Sequence, residues 1–252
     1  MMNNTIKSIK NHRSIRSYLE KDIPSEMLEA ILEAAQAMPT SINGQQLSVV
    51  IVKDKVKKAK IAELTGNQHW IAQAPVFLVF VADFYKTSIA GEKNKMPSLI
   101  HESVEGMMVG TFDCGLAMGA AIVAAESMEL GIVPIGAIRK NPEEMIRLLN
   151  LPERTFPVAG LVIGYPENNS AKKPRFPLQV FAHNETYQAK DMKRAVDDYD
   201  IVMADYYKKR ASETGDASQE TNWSSQVADA YKQVYFPAVY PALIKQGFKN
   251  DK

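Results

Sequence analysis

Pro75-Val-Phe-Leu-Val-Phe-Val-Ala-Asp83 (PVFLVFVAD) is an almost unbroken apolar run of β-branched and aromatic residues. A run of this kind, without polar alternation, reads as a strand covered on both faces and therefore central in its sheet. Leu47 to Val52 (LSVVIV) is β-branched enough to form another strand. Downstream, Pro157 to Gly164 (PVAGLVIG) is a further buried strand, and Leu130 to Arg139 (LGIVPIGAIR) reads as strand and turn. Helical patterns lie between these runs. Asn4-Thr5 can cap a short helix carrying Ile6 and Ile9, and Pro24-Ser25-Glu26 opens the next, with Met27, Leu28, Ile31, Leu32 and Ala35 at helical spacing and Pro39 at its end. Lys53 to Leu64 reads as a helix whose exit at Gly66 suits a positive φ. Ser98 to Glu129, rich in Gly, Ala and Met, predicts one long buried helix, and Pro142 to Leu149 a short one. Helices and strands alternate without strict βαβ regularity. The class is α/β in the loose sense, better described as α+β layers around one mixed or antiparallel sheet.

At 252 residues and 46% hydrophobic, the chain can bury a substantial core and reads as a single domain, 1–252. Thirty basic against 29 acidic side chains leave a net charge of +1. That balance supplies no broad basic face for nucleic acid or an anionic membrane. The single cysteine, Cys114, excludes an intrachain disulfide framework and fits a reducing compartment, and the opening MMNNTIKSIKNH lacks a secretory apolar core. A cytoplasmic location follows. The most apolar segment, Met107 to Met128, is interrupted by Asp113, Glu126 and several glycines, and reads as a core helix rather than a membrane span. Beyond it, Asp191 to Arg210 is a charged amphipathic helix, Ala211 to Thr221 a polar loop, and Trp223 begins a tail carrying Tyr231, Tyr235, Phe236, Tyr240 and Phe248. Residues 191–252 thus form a helical excursion and a C-terminal arm that needs a groove. Its own body or a symmetric partner could supply one; the partner is the favoured reading.

Two compact cationic clusters stand out against this neutral background: His12-Arg13-Ser14-Ile15-Arg16 and Lys173-Pro174-Arg175. Guanidinium presents a planar fork matched to phosphate oxygens, and Ser14 adds a hydroxyl. Arg13 and Arg16 would share a face if their segment were helical. Pro174 would stiffen the second cluster so that Lys173 and Arg175 aim one way. Either cluster alone reads as a solvated basic turn. Together they suggest an anionic ligand.

Independent catalysts are missing. His12, His69, His101 and His183 have no metal-ligand spacing, and there is no GxSxG, no GxxxxGK[ST] and no GxGxxG. No metal site is expected. If the chain is an enzyme, its reactive atoms belong to a bound phosphorylated cofactor.

HRSIRSY, PTSINGQQ, LTGNQ with APVFLVFVADF, AAESMELGIVPIGAIRK and GYPENNSAKKPRFP, taken in order, resemble the oxygen-insensitive NAD(P)H nitroreductase and flavin reductase group of the FMN-dependent nitroreductase family. The resemblance runs through essentially the whole chain. It implies an α+β sandwich with a central, mostly antiparallel sheet, an intertwined homodimer, and FMN at the subunit interface. By motif, His12, Arg13, Ser14 and Arg16 are similar to the family's FMN-binding amino-terminal segment, and Lys173 and Arg175 to its late phosphate-gripping pair. Thr40, Ser41, Asn43 and Gln45 match its polar loop, offered to FMN from the neighbouring subunit. Gln68 stands where the family places an amide beside the isoalloxazine; its plain alternative is a helix-end polar residue. Pro134, Ile135 and Gly136 lie where backbone packs on the flavin, while Ala137 departs from a second glycine.

The mechanism so implied needs no catalytic side chain: NAD(P)H passes a hydride to FMN N5 and leaves, and a nitroaromatic, quinone or free flavin follows into the same pocket. Arg13 or Arg16 would supply positive charge near N1/O2. Arg210, with Lys208, is the expected NADPH contact, although Glu213, Asp216 and Glu220 nearby would repel a 2′-phosphate, so NADH use stays open. Two rivals remain: a dedicated flavin reductase supplying free reduced FMN, and a non-catalytic phosphate- or nucleotide-binding dimer.

Overall fold

All eight residues of strand β2 (Val76–Asp83) are buried, as its unbroken apolar run demands. In this computed structural model, which describes residues 3–168, 170–215 and 221–251, β2 lies inside a four-stranded sheet. With β1 (Leu47–Val52), β3 (Gly131–Ile135) and β4 (Thr155–Gly164), the order is β1-β2-β4-β3 and every ladder is antiparallel. The open choice between a mixed and an antiparallel sheet is thereby settled among these strands. The β2–β4 ladder slips between Phe80 and Val81, where Val81 faces Pro157. A proline, having no N–H to give, is tolerated inside a sheet at such an irregularity.

Successive side chains of β2 enter opposite layers. Phe77, Val79 and Val81 pack with Ile61, Leu64, Ile71 and Met145 from helices α3 (Lys55–Leu64), α4 (His69–Gln73) and α7 (Pro142–Leu148). Leu78, Phe80 and Ala82 face α2 (Ser25–Gln36), through Leu28 and Ile31, and α6 (Val104–Ser127), through Cys114, Ala117, Ala121 and Ala125. The result is an α+β sandwich with the sheet in the middle. On the remaining units of local structure, α1 spans Asn4–Lys10 and α5 spans Tyr85–Lys93.

Two expected boundaries move, and one expected burial is incomplete. The long helix does not begin at Ser98; a short 3-10 turn, Ile100–Glu102, comes first, and Ser103 caps α6 by accepting from the Gly106 N–H at 3.0 Å. Nor is α6 buried all round. Its length and composition alone would suffice to cross a membrane, as those of a core helix can, and its Cys114, Ala117, Ala121 and Ala125 face packs in the core, with 28% of that stretch buried within the chain. Val104, Met108 and Phe112 are exposed. Helix α9 (Met192–Thr214) continues past Arg210 and ends at Gly215, whose φ of 71° is left-handed, so Glu213 is helical rather than in a loop. Asp216 and Glu220 lie outside the described residues.

The described chain forms two compact units, one reaching Ser170 and resuming at Phe236, the other Ala171–Tyr235. In the first, the last helix, α11 (Val239–Lys245), and Phe248 close a small core with Phe84 and Phe156. Part of the C-terminal arm therefore packs on its own body. In the second, which also holds α8 (Leu178–Phe181) and α10 (Trp223–Tyr231), Phe176, Tyr199, Tyr207 and Trp223 cluster along α9. Tyr231, Tyr235 and Tyr240 are exposed.

Candidate functional site

The first basic cluster is not helical. After α1 the chain runs extended beside β3: the Ile15 N–H donates to the Ile132 carbonyl at 2.9 Å, Ser14 bridges Ile132 in parallel, and Tyr18 bridges Pro166. This strip docks because two paired glycines, Gly131 on β3 and Gly164 on β4, leave room for its side chains. A Cβ on Gly131 would fall 2.7 Å from Ile15 Cγ1, and one on Gly164 would fall 2.8 Å from Tyr18 Cδ1. Ile15 and Tyr18 are buried, and the Tyr18 hydroxyl donates to the Ile15 carbonyl at 2.7 Å, bracing the strip internally. The helical arrangement that would align Arg13 and Arg16 is replaced by this docking, since Ile15 gains more from burial than a further helical turn would offer.

Each cation of the strip then has its own setting. His12 Nδ1 lies 2.7 Å from Glu126 Oε1 near the end of α6. The Arg16 guanidinium sits 5.7 Å from the centre of the Trp70 ring. Arg13 Nε is buried with no hydrogen-bond acceptor, one of three such side-chain atoms among the described residues. A buried guanidinium N–H without an acceptor is costly in the free protein and is relieved by an anionic ligand. The Trp70 indole N–H is in the same condition. No motif singles out Trp70, although it follows Gln68 by two positions.

Gln68 precedes α4 and donates its side-chain amide to the Thr65 carbonyl at 2.9 Å, so the helix-end role is realised and its Oε1 stays available. At the end of β3, Pro134 is exposed and Ile135 buried, and a 3-10 turn (Gly136–Arg139) follows. A Cβ added to exposed Gly136 would meet only Arg139 Nη2, at 3.6 Å. No crowding within the chain requires glycine there, which fits a position approached by a flat ligand.

The polar loop between α2 and β1 adopts unusual backbone. Ile42, Asn43 and Gln45 have φ of 51°, 56° and 50°, and Ile42 is 97% exposed. Thr40 Oγ1 accepts from the Gln45 N–H at 3.1 Å. Ser41, Asn43 and Gln45 project outward, while Gln46 is buried and donates to Asp113 Oδ2 at 2.5 Å. Burial pushes the Asp113 carboxyl up, opposed by hydrogen bonds from the Ser41 backbone and Gln46. Together with α6, residues Pro39, Thr40, Ser41, Met108, Phe112 and Asp113 line an apolar groove of about 940 Å³.

Lys173 and Arg175 belong to the second unit, as do Lys208 and Arg210. Their side chains do not aim one way. Arg175 turns back to donate to the carbonyls of Lys173 and Pro174 at 3.0 and 3.1 Å, whereas Lys173 Nζ reaches the Tyr207 hydroxyl at 3.4 Å. On α9, Lys208 is exposed and Arg210 half-buried. Among the described residues, no cluster of His, Cys, Asp and Glu is arranged to hold a metal.

Residues 9–165 match the model of the Nitroreductase family, and residues 173–251 the model of the Nitroreductase family, C-terminal domain. The chain is 47% identical over 253 residues to an FMN reductase (NAD(P)H) of Bacillus subtilis strain 168, covering all of both chains. It is 38% identical to a second protein of that organism, FMN reductase (NADPH), over 99% of this chain and 100% of that one. The solved structure of B. megaterium NfrA2 superimposes with a TM-score of 0.95 at 49% identity, covering 100% of both chains.

Proposed function

The chain belongs to the nitroreductase family, and from that premise we propose that it is an FMN-dependent oxidoreductase, drawing a hydride from NAD(P)H and reducing nitroaromatics, quinones or free flavins in ping-pong order. The observation that carries the reading is the docked amino-terminal strip, which sets His12, Arg13, Ser14 and Arg16 in sequence beside β3 and leaves Arg13 Nε without an acceptor. These four would hold the phosphate and the electron-rich edge of FMN; Gln68, Pro134, Ile135 and Gly136 would flank its ring, and Thr40, Ser41, Asn43 and Gln45 would close over it. Lys173 and Arg175, in the second unit, are the reading's further phosphate-binding candidates. Bound FMN would supply the hydride-accepting N5, so the reading calls on no side chain as nucleophile or base. The protein's own share is orientation, charge and exclusion of water.

The exposed apolar face of α6 supports a homodimer. Met108 and Phe112 are 63% and 66% exposed on a helix whose other face is core, and a contiguous patch of this kind seeks a partner. A second copy of the chain, with the polar loop beside the groove, is the occupant of this reading. The same reading involves no nucleic acid and no membrane, and a cytoplasmic location. Arg210 and Lys208 are its NAD(P)H contacts.

Dedicated flavin reduction is the second reading, favoured by the description of both Bacillus relatives as FMN reductases. Purified protein should be yellow and bleach under argon on addition of NADPH or NADH. A colourless protein that takes up no added FMN would sink the proposal and leave a non-catalytic nucleotide-binding dimer. Relative kcat/KM for free FMN against a nitro compound separates the two enzymatic readings. Comparing kcat/KM for the two donors, in wild type and Arg210→Ala, assigns the donor.

A further inference from the structure

Asp113 sits midway along α6 among Gly, Ala, Met and Phe, with 1% of its surface exposed. An acid so placed is rare unless something needs it. Its two recorded partners, the Ser41 N–H and the Gln46 amide, both belong to the loop between α2 and β1. That loop carries left-handed backbone at Ile42, Asn43 and Gln45, of which only asparagine tolerates the conformation readily. Each such residue is strained and persists only where its surroundings over-determine it. The outward face of the loop gains nothing from burial, since Ser41, Ile42, Asn43 and Gln45 are all exposed. The restraint comes from beneath. Gly44 is part of it, since a Cβ there would fall 2.1 Å from Gln46 Oε1 and displace the amide from Asp113.

We infer that Asp113 is a positioning residue: through Ser41 and Gln46 it fixes the 40–46 loop in its strained shape, so that Ser41, Asn43 and Gln45 are held ready for the flavin. The inference rests on the FMN reading of that loop. What matters is a pair of hydrogen-bonding groups at a fixed point on α6, not a negative charge. Burial already disfavours the ionised carboxyl. An asparagine preserves both contacts, because its oxygen accepts from Ser41 and the Gln46 amide can turn over to accept from its nitrogen. A leucine preserves neither.

The test compares Asp113→Asn, Asp113→Leu and, in case leucine prevents folding, Gln46→Met, by FMN titration and by melting of the FMN-free protein. Asp113→Leu and Gln46→Met are expected to weaken FMN binding at least tenfold, with Asp113→Asn within threefold of wild type. After correction for fractional FMN occupancy, kcat should still be lower in the two weakened variants, which a loss of global stability alone would not produce. Wild-type affinity in Gln46→Met, or an Asn variant as impaired as the Met variant, overturns the inference. A wild-type protein that binds no FMN overturns instead the reading on which it rests.

Discussion

Substituting Gly131 by alanine tests whether the amino-terminal strip is held by shape. The new Cβ would lie 2.7 Å from Ile15 Cγ1, 2.9 Å from its Cβ and 3.0 Å from its Cγ2. The contact to Cβ does not depend on the side-chain rotamer, and a β-branched residue has little freedom at χ1 in any case. The strip must therefore move as backbone. Keeping Ile15 in place costs about 1–3 kcal/mol of overpacking. Releasing it forfeits roughly 1.5–3 kcal/mol of side-chain burial and about 1 kcal/mol from the Ile15–Ile132 hydrogen bond. Overpacking is the cheaper route, a loss of about 2 kcal/mol, which for a chain of this size lowers Tm by roughly 4–8 °C. The functional loss should be larger than the thermal one implies. Arg13, Ser14 and Arg16 ride on the strip, and one misplaced charge-assisted hydrogen bond costs about 1.5–3 kcal/mol, so FMN should bind at least about tenfold more weakly. The assay is FMN fluorescence quenching alongside melting of FMN-free protein, repeated in an Ile15→Gly background that removes the obstructing side chain. There, Gly131→Ala should add almost nothing. Equal cost in both backgrounds, or wild-type FMN affinity in the single variant, would refute a sterically held strip.

Three other outcomes follow from the same geometry. Phe112→Glu, placed on the exposed face of α6, should convert a dimer to a monomer in sedimentation; an unchanged dimer puts the interface elsewhere. Arg16→Ala, which removes the guanidinium above Trp70, should weaken FMN about 10- to 100-fold on the scale of one charge-assisted hydrogen bond or lower the flavin potential; undiminished retention and potential exclude Arg16 from the site. His101 is buried against Phe248 with Nδ1 lacking a partner, and burial, then Arg154, holds its pKa below the ordinary histidine value, with Glu102 opposing and Lys249 adding to the depression. The unfolded chain then takes up the proton first, so its stabilising share is complete above about pH 6.5 and is lost as pH falls through the lower folded value. Denaturation midpoints of wild type should drop with acidification through that window more steeply than those of His101→Leu; parallel curves would discard the assignment.

The core was the most legible part of the chain. PVFLVFVAD announces a strand covered on both sides, and it lies between β1 and β4 with helices on each face. The short helices α4 and α5 escape such reading because five and nine residues offer too few turns for a periodic apolar stripe. The break before α6 depends on Gly106, where a Cβ would lie 2.1 Å from the Ile100 carbonyl oxygen, a tertiary closeness that local composition does not reveal. Within the site, cationic residues are visible by type, but their partners are not: the Arg13 orphan and the stacking of Arg16 on Trp70 exist only once the strip docks. Asp113 is visible as an acid between apolar residues of a long helix. Its role becomes apparent only when Gln46 is found beneath a left-handed loop.

The placement of Cys114 on the core face of α6 has a bearing on durability. The thiol is sealed against the sheet, and desolvation pushes its pKa up to about 12, so at neutral pH only about one molecule in 10⁵ carries the reactive thiolate. An enzyme that reduces small-molecule oxidants works among agents that oxidise exposed sulfur. With the chain's lone cysteine withdrawn from them, activity should outlast prolonged exposure to peroxide or maleimide without any reducing agent in the medium.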